Sequence, residues 1–264
     1  MRDLTVALVQ AATVWRDALA NRALYGELVR PLTAKADLVV LPETFLSGFS
    51  NEASAEAETM EGESLTWMRD LAAEVGAVVT GSLLVREADS VRNRLVWMRP
   101  DGSHEHYDKR HLFRMAREHE RFEGGDKRLI VELAGWRICP LVCYDLRFPV
   151  WSRNRFDPAA KRLEYDLLIY VANWPNARQH AWRTLLRARA IENLSYCVGV
   201  NRVGTDGNDL LYRGYSAALD SLGETEIELG SQPQVACVRL SAERLVEHRT
   251  RFPAWLDADD FSLR

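Results

Sequence analysis

The feature that most limits how this chain can fold is a set of apolar runs of strand length that do not alternate. They are TVALVQAA (5–12), ADLVVLPE (36–43), AVVTGSLLV (77–85), RICPLVCYD (137–145), YDLLIYVAN (165–173) and YCVGVNRVG (196–204). A strand with one wet face alternates apolar and polar residues, whereas an unbroken apolar run marks a strand covered on both faces. Segments with helical spacing lie between several of these runs. Leu19, Leu24, Leu28 and Leu32 share one face over 16–35, and SLTWMRDLAAEVG (64–76) opens on a Ser cap and closes on Gly. HAWRTLLRARAIEN (180–193) is expected to bury Trp182, Leu185, Leu186 and Ile191 while its arginines face outward, toward solvent or acids across a subunit contact. The alternation is that of an α/β protein.

Two hairpin signals add antiparallel pairs, so the sheets are expected to be mixed. RPDG (99–102) joins NRLVWM to SHEHYDK, and LAGW (133–136) joins RLIVEL to the run that contains two cysteines. A chain of 264 residues, 47% hydrophobic, can bury a large core, and no Pro- or Gly-rich linker, repeat or low-complexity tract divides it. One domain spanning 1–264 is expected. The tail from about 251, RFPAWLDADDFSLR, has no periodicity and is expected to pack on the body or on a partner subunit.

A formal net charge of −4, with basic and acidic residues interleaved, supplies no reason to bind nucleic acid or an anionic membrane. The opening MRDLTVALVQAA is too short and too polar for a signal peptide, and no later run reaches membrane-spanning length, so a cytoplasmic protein is expected. The four cysteines lack the spacing of a disulfide framework and should be reduced. Cys139 and Cys143 are four apart rather than C-x-x-C, and the histidines form no partner pair, so no metal is expected.

Chemistry concentrates where apolar runs end. Cys143 closes its run and is followed at once by Tyr144 and Asp145, at the strand end where open α/β sheets place ligands, while Cys139 inside the run fills core volume. Both thiols could equally be buried hydrophobes, because free cysteine is among the most buried residue types. LVVLPETFLSGF (38–49) has the same form, ending on Glu43. A carboxylate taken out of water gains the raised pKa that a general base needs. Lys109, in HYDKRHLF (106–113), follows a strand and precedes an apolar stretch. Beside a thiol and a carboxylate it would hold an oxyanion and lower the thiol pKa. Glu, Lys and Cys converging from distant strand ends suit amide hydrolysis through a thioester.

LVVLPETFLSGF, YDKRHLF and CPLVCYDLRFPVW together resemble the signatures of the nitrilase superfamily, the carbon–nitrogen hydrolases, in order from about Leu4 to about Pro253. LLIYVANWPNARQHAWRTLLRARAIEN and GVNRVGTDGN look like its omega-amidase branch, which hydrolyses 2-oxoglutaramate and 2-oxosuccinamate. The resemblance implies an αββα four-layer sandwich, a homodimer, no cofactor, and a catalytic triad at Glu43, Lys109 and Cys143. It also implies a second glutamate, placed at Glu118 rather than Glu120 because it stands four positions before Phe122. The backbone N–H of Tyr144 would complete the oxyanion site.

For a small amide with a distant carboxylate, Phe45, Phe49, Phe113 and Trp174 are candidate walls, each equally suited to ordinary core packing. Arg147 is the nearest candidate for the carboxylate, with a structural salt bridge to Asp145 as its other use; Arg114 and Arg117 are rivals. His111 and His119 are assigned no catalytic role. Three readings compete: an N-carbamoyl amino acid amidohydrolase, a nitrilase acting on nitriles, and a catalytically idle interaction relative. The last would be free to lose the triad, yet all of it is present. A redox pair is disfavoured because Cys139 and Cys143 would lie about 13 Å apart along an extended strand.

Overall fold

The structure is a computed structural model that describes residues 1–259 and 261–262, so the tail read above falls partly outside the described residues. In chain order the strands are β1 (Leu4–Gln10), β2 (Leu38–Val40), β3 (Val78–Glu87), β4 (Ser90–Met98), β5 (His104–Asp108), β6 (Val131–Leu133), β7 (Trp136–Val142) and β8 (Phe156–Asp157). They continue with β9 (Arg162–Leu163), β10 (Leu167–Ala172), β11 (Tyr196–Asn201), β12 (Val203–Thr205), β13 (Leu211–Arg213), β14 (Ala217–Leu219), β15 (Thr225–Glu228) and β16 (Gln234–Leu240). The α-helices are α1 (Ala18–Val29), α2 (Glu63–Val75), α3 (Pro149–Ser152), α4 (Gln179–Asn193) and α5 (Ala242–Arg251).

Two six-stranded sheets carry the fold, ordered β16-β1-β2-β3-β4-β5 and β15-β14-β11-β10-β7-β6. Each has three parallel strands at its centre, β1-β2-β3 in one and β7-β10-β11 in the other. Antiparallel strands flank them on both sides. The period-2 geometry of β1 explains why its apolar run does not alternate. Leu4, Val6 and Leu8 enter the core shared with the second sheet, while Ala7 and Val9 face the core built with Tyr25, Val29, Met68 and Leu71 of α1 and α2. On the opposite side, Trp182, Leu186 and Ala190 of α4 pack on the second sheet. A Cβ at Gly199 of β11 would fall 2.5 Å from Leu186 Cδ1, so glycine there is what lets α4 sit against the sheet. The layers are therefore helix, sheet, sheet, helix: the αββα sandwich.

Several sequence expectations need correction. Leu19 is 73% exposed, and the buried face of α1 is Asn21, Tyr25, Gly26 and Val29, with Leu24 and Leu28 only partly covered. Ser64 does not cap α2: the N-cap is Gly62, and the Ser64 hydroxyl and amide are both bound to Glu58. Gly76 does close α2, in the left-handed conformation. In α4, Ile191 is 48% exposed whereas Arg189 is 3% exposed, its guanidinium donating to the Leu146 carbonyl at 2.6 Å. The other arginines of α4 find partners within the chain, Arg183 on Glu228 and Arg187 on the Gly223 carbonyl. In the tail, Trp255 stacks on Phe156 of the body at 6.5 Å between ring centroids.

Candidate active site

Lys109, Cys143 and Asn173 are each the first residue past a strand, β5, β7 and β10 respectively, and Glu43 stands three residues past β2. Cys143 has φ 44°, a left-handed conformation that costs a non-glycine residue energy and occurs where surrounding structure over-determines it. The bracing comes from Asp145, whose buried carboxylate accepts the Val142 N–H at 3.1 Å, the Tyr107 hydroxyl at 2.7 Å and the His111 N–H at 3.0 Å. His111 Nδ1 lies 2.7 Å from the same carboxylate, and its ring stacks on Phe148, so this histidine is structural. The chain is thereby forced into the tight turn Cys143–Arg147, which opens on the cysteine. Cys139, four residues earlier within β7, is fully buried.

Glu43, Lys109 and Glu118 form one buried ionic cluster. Lys109 Nζ donates to Glu43 Oε1 at 2.9 Å and to both oxygens of Glu118 at 2.9 and 2.8 Å. Glu118 also accepts the Phe113 N–H at 2.6 Å, which folds the 113–118 segment over the lysine. Glu120, the alternative in the sequence, is exposed and pairs with Arg117. Two asparagines complete the cluster. Asn93 Nδ2 donates to Glu43 Oε1 at 2.9 Å and lies 3.4 Å from Glu118 Oε1. The Asn173 N–H donates to Glu43 Oε2 at 2.8 Å, and its side-chain amide donates to the Glu43 carbonyl at 2.8 Å. Because β2 and β10 belong to different sheets, these last bonds pin the two sheets together at the site.

Above the cluster opens a cleft whose lining includes Lys109, Cys143, Tyr144, Phe49, Phe113 and Trp174. Arg147 lines it as well, its guanidinium 4.9 Å from the Trp174 ring rather than paired with Asp145. Phe45 does not line it. That ring is fully buried on the helix side of the first sheet, against Tyr25 at 5.3 Å and Trp67 at 5.8 Å. Phe45 follows Thr44, whose φ of 39° turns the chain back, so its side chain points away from that of Glu43's partners and into the other core. Arg114 and Arg117 are exposed, and neither is among the residues that line the cleft.

A family model described as "Carbon-nitrogen hydrolase" matches residues 5–250. The chain belongs to the carbon–nitrogen hydrolase family. It is 46% identical to "Omega-amidase YafV" of Yersinia enterocolitica, covering 100% of both chains, and 31% identical to "2-oxoglutaramate amidase" of Bacillus subtilis, covering 84% of this chain and 85% of that one. Its fold superposes with a TM-score of 0.99 on XC1258 of Xanthomonas campestris, a CN-hydrolase superfamily protein with an arsenic adduct in its active site, at 55% identity and 100% coverage of both. Nit3 of Saccharomyces cerevisiae, at 23% identity, shares the fold with a TM-score of 0.83 over 96% of this chain and 95% of that one.

In this carbon–nitrogen hydrolase the thiol is not pre-ionised by its lysine. Burial and the neighbouring Glu43 push the Cys143 pKa well above the ordinary thiol range; Lys109 pulls it down but is outweighed. Lys109 lowers the thiol pKa as expected, but its ammonium is also engaged by two carboxylates and its pull does not offset burial and Glu43. Burial also pulls the Lys109 pKa down, and Glu118 and Glu43 more than reverse that, so it stays protonated. Burial raises the Glu118 pKa against the pull of Lys109. The resting site therefore holds a neutral thiol, which calls for a base at the moment of attack.

Sequence reasoning missed Asn93, Asn173 and Arg178, the last of which also lines the cleft. Asn173 stands at the end of the YDLLIYVAN run just as Cys143 and Glu43 stand near the ends of theirs, and that position was the available signal. Asn93 lies within β4 and Arg178 in a turn, where nothing local marks them. Among the described residues no group of three or more His, Cys, Asp or Glu side chains is arranged to hold a metal ion.

Proposed function

We propose that this protein is an omega-amidase that hydrolyses the amide of 2-oxoglutaramate and 2-oxosuccinamate to the 2-oxo acid and ammonia through a thioester on Cys143. The observation that carries this reading is the end-to-end similarity to omega-amidases, on a chain that keeps a buried Glu–Lys–Cys cluster under a cation-bearing cleft. The substrate is a small amide, which enters over Tyr144 and Trp174 with Phe49 and Phe113 as walls and its far carboxylate toward Arg147.

Glu43 accepts the Cys143 proton as the sulfur attacks the amide carbon. The charge that develops on the carbonyl oxygen is held by Lys109 and the backbone N–H of Tyr144. Glu43 passes its proton to the leaving nitrogen, the C–N bond breaks, and ammonia departs. A water molecule then gives a proton to Glu43 and attacks the thioester carbon; collapse breaks the C–S bond, releases the acid and returns the proton to sulfur. Glu118 keeps Lys109 charged and oriented throughout. Two copies pair into a homodimer in which the sandwiches stack, which light scattering checks. The enzyme works in the cytoplasm, which suits four free cysteines; among the described residues no helix is long and apolar enough to cross a membrane.

The test is steady-state ammonia release from 2-oxoglutaramate beside N-carbamoyl amino acids and simple nitriles, with Cys143→Ala as the blank. Release from 2-oxoglutaramate that disappears in the variant is the expected result. Preferred turnover of an N-carbamoyl compound keeps the triad and rejects the substrate.

A further inference from the structure

Arg178 ends the short turn Asn176–Arg178 between β10 and α4 and shares the cleft over Cys143 with Arg147 and Lys109. Its guanidinium stacks on the Phe113 ring at 5.2 Å, as that of Arg147 stacks on Trp174. Trp174 joins the two, because its indole N–H donates to the Arg178 carbonyl at 2.8 Å while its ring face carries Arg147. Arg94 pairs with Asp108 and Arg128 with Glu164, and the buried Arg202 donates to the Val203 and Thr13 carbonyls, whereas among the described residues Arg147, which is exposed, and Arg178, which is half-buried, have neither kind of partner. Among the described residues no carboxylate lies within 4.0 Å of the Arg147 or Arg178 guanidinium. Nor do the residues that line the cleft include any Asp or Glu. Two preorganised planar donors and an ammonium thus face one cleft, and the aromatic faces hold the donors in place without satisfying their N–H groups.

We infer that Arg178 and Arg147 form a two-guanidinium clamp on the 2-oxo carboxylate end of the substrate, and that Arg178 is the residue that makes the enzyme discriminate between 2-oxo and 2-amino amides. The inference rests on the omega-amidase reading above. A carboxylate with a vicinal carbonyl presents only acceptor oxygens, which two guanidinium forks satisfy at once. A 2-ammonium group presents donors and a positive charge to the two guanidiniums, at the end of the cleft where no lining residue is an Asp or Glu. Its desolvation goes uncompensated, so glutamine and asparagine are rejected by repulsion as well as by a lack of partners.

The experiment measures kcat/KM on 2-oxoglutaramate, glutamine and hexanamide, a neutral amide, for the wild type, Arg178→Gln, Arg178→Lys and Arg178→Glu. The preference for 2-oxoglutaramate over hexanamide is expected to fall about 10- to 100-fold in Arg178→Gln, the size of a lost charged hydrogen bond. Arg178→Lys should recover part of it, and Arg178→Glu should raise the ratio of glutamine to 2-oxoglutaramate turnover. An equal loss on hexanamide would reduce Arg178 to a packing residue, and an unchanged preference would overturn the clamp. A wild type that shows no preference for 2-oxoglutaramate rejects the omega-amidase reading itself; a wild-type preference retained by every Arg178 variant rejects the clamp alone. Thermal melts of the variants separate misfolding from altered selectivity, since among the described residues the Arg178 guanidinium stacks on Phe113 without an ion-pair partner.

Discussion

The Tyr107 hydroxyl donates a 2.7 Å hydrogen bond to Asp145 Oδ2, and through it two parts of the candidate active site are fixed to one another. Tyr107 stands two residues before Lys109, and Asp145 two residues after Cys143. The bond crosses from one sheet to the turn that follows a strand of the other, so the lysine and the sulfur keep their separation whatever the surface does. The Tyr107 oxygen also accepts the Trp151 indole N–H at 2.9 Å and the Arg110 N–H at 3.2 Å, and is thereby saturated.

Removing the acceptor should cost more than removing the donor. Asp145→Ala leaves the Tyr107 hydroxyl, the Val142 N–H and the His111 N–H without it in a buried place, a loss of about 3–5 kcal/mol of stability, whereas Tyr107→Phe should cost about 1–2 kcal/mol. Urea denaturation of the two variants and of their double variant is the check. Because the residues touch, the double variant should be less destabilised than the sum, and strict additivity would show that the bond does not couple them.

Lys109→Met strands Glu43 and Glu118 in the core. A fall in kcat of about 10²–10³-fold and a stability loss of about 3–5 kcal/mol are expected together. Asn93→Leu removes the donor that Glu43 and Glu118 share, and Asn93 is not among the residues that line the cleft. Its kcat should fall about 10-fold or more with KM little altered, and a change confined to KM would place Asn93 in substrate binding instead.

Alkaline pH should unfold the protein through its buried thiols and phenols. Burial pushes the Cys139 pKa up to about 12, with Arg128 pulling the other way, while an unfolded thiol ionises near its ordinary value of about 8.5. A raised folded-state pKa contributes stability that is present below the unfolded pKa and is lost as pH climbs toward the folded one. Burial likewise raises Cys197, Tyr107, Tyr165 and Tyr170. Urea midpoints measured from pH 8 to pH 11 should therefore decline. Cys139→Val, which cannot ionise, should decline less steeply; a slope equal to the wild type would exclude Cys139 as a contributor.

Phe45 and Trp174 were both candidate walls, and the structure separates them. Phe45→Ala should lower stability by about 3–5 kcal/mol with little change in KM, as expected of a ring in a closed core. Trp174→Ala opens the cleft and frees Arg147, so KM for 2-oxoglutaramate should rise. Chemical denaturation paired with steady-state kinetics distinguishes them, and a KM effect from Phe45→Ala would contradict its placement.

Much of this molecule is legible along the chain because short-range chemistry writes it there. Apolar runs that fail to alternate demand cover on both faces, and the polar residues that stop them, Glu43 and Cys143, stand at the strand ends where both are found. Helix faces were less legible. The apolar spacing of 16–35 pointed to Leu19, yet Tyr25 and Asn21 are the residues turned inward, because the neighbouring helix and sheet decide which stripe of a helix meets the core.

The sequence by itself determined the alternation of covered strands with helices and which of two nearby cysteines ends its strand, since each depends on residue type and local spacing; the αββα sandwich and the candidate trio of Glu43, Lys109 and Cys143 came from the family resemblance that its motifs carry. Only the tertiary structure decided that Asn93 and Asn173 hold Glu43, that Phe45 belongs to the core, and that Arg178 meets Arg147 in one cleft. Those relations join segments tens to more than a hundred residues apart, and a side chain's partner across the fold leaves no trace in its own neighbourhood. They arise when two sheets are pressed together and buried polar groups must find partners in whatever strand arrives opposite them.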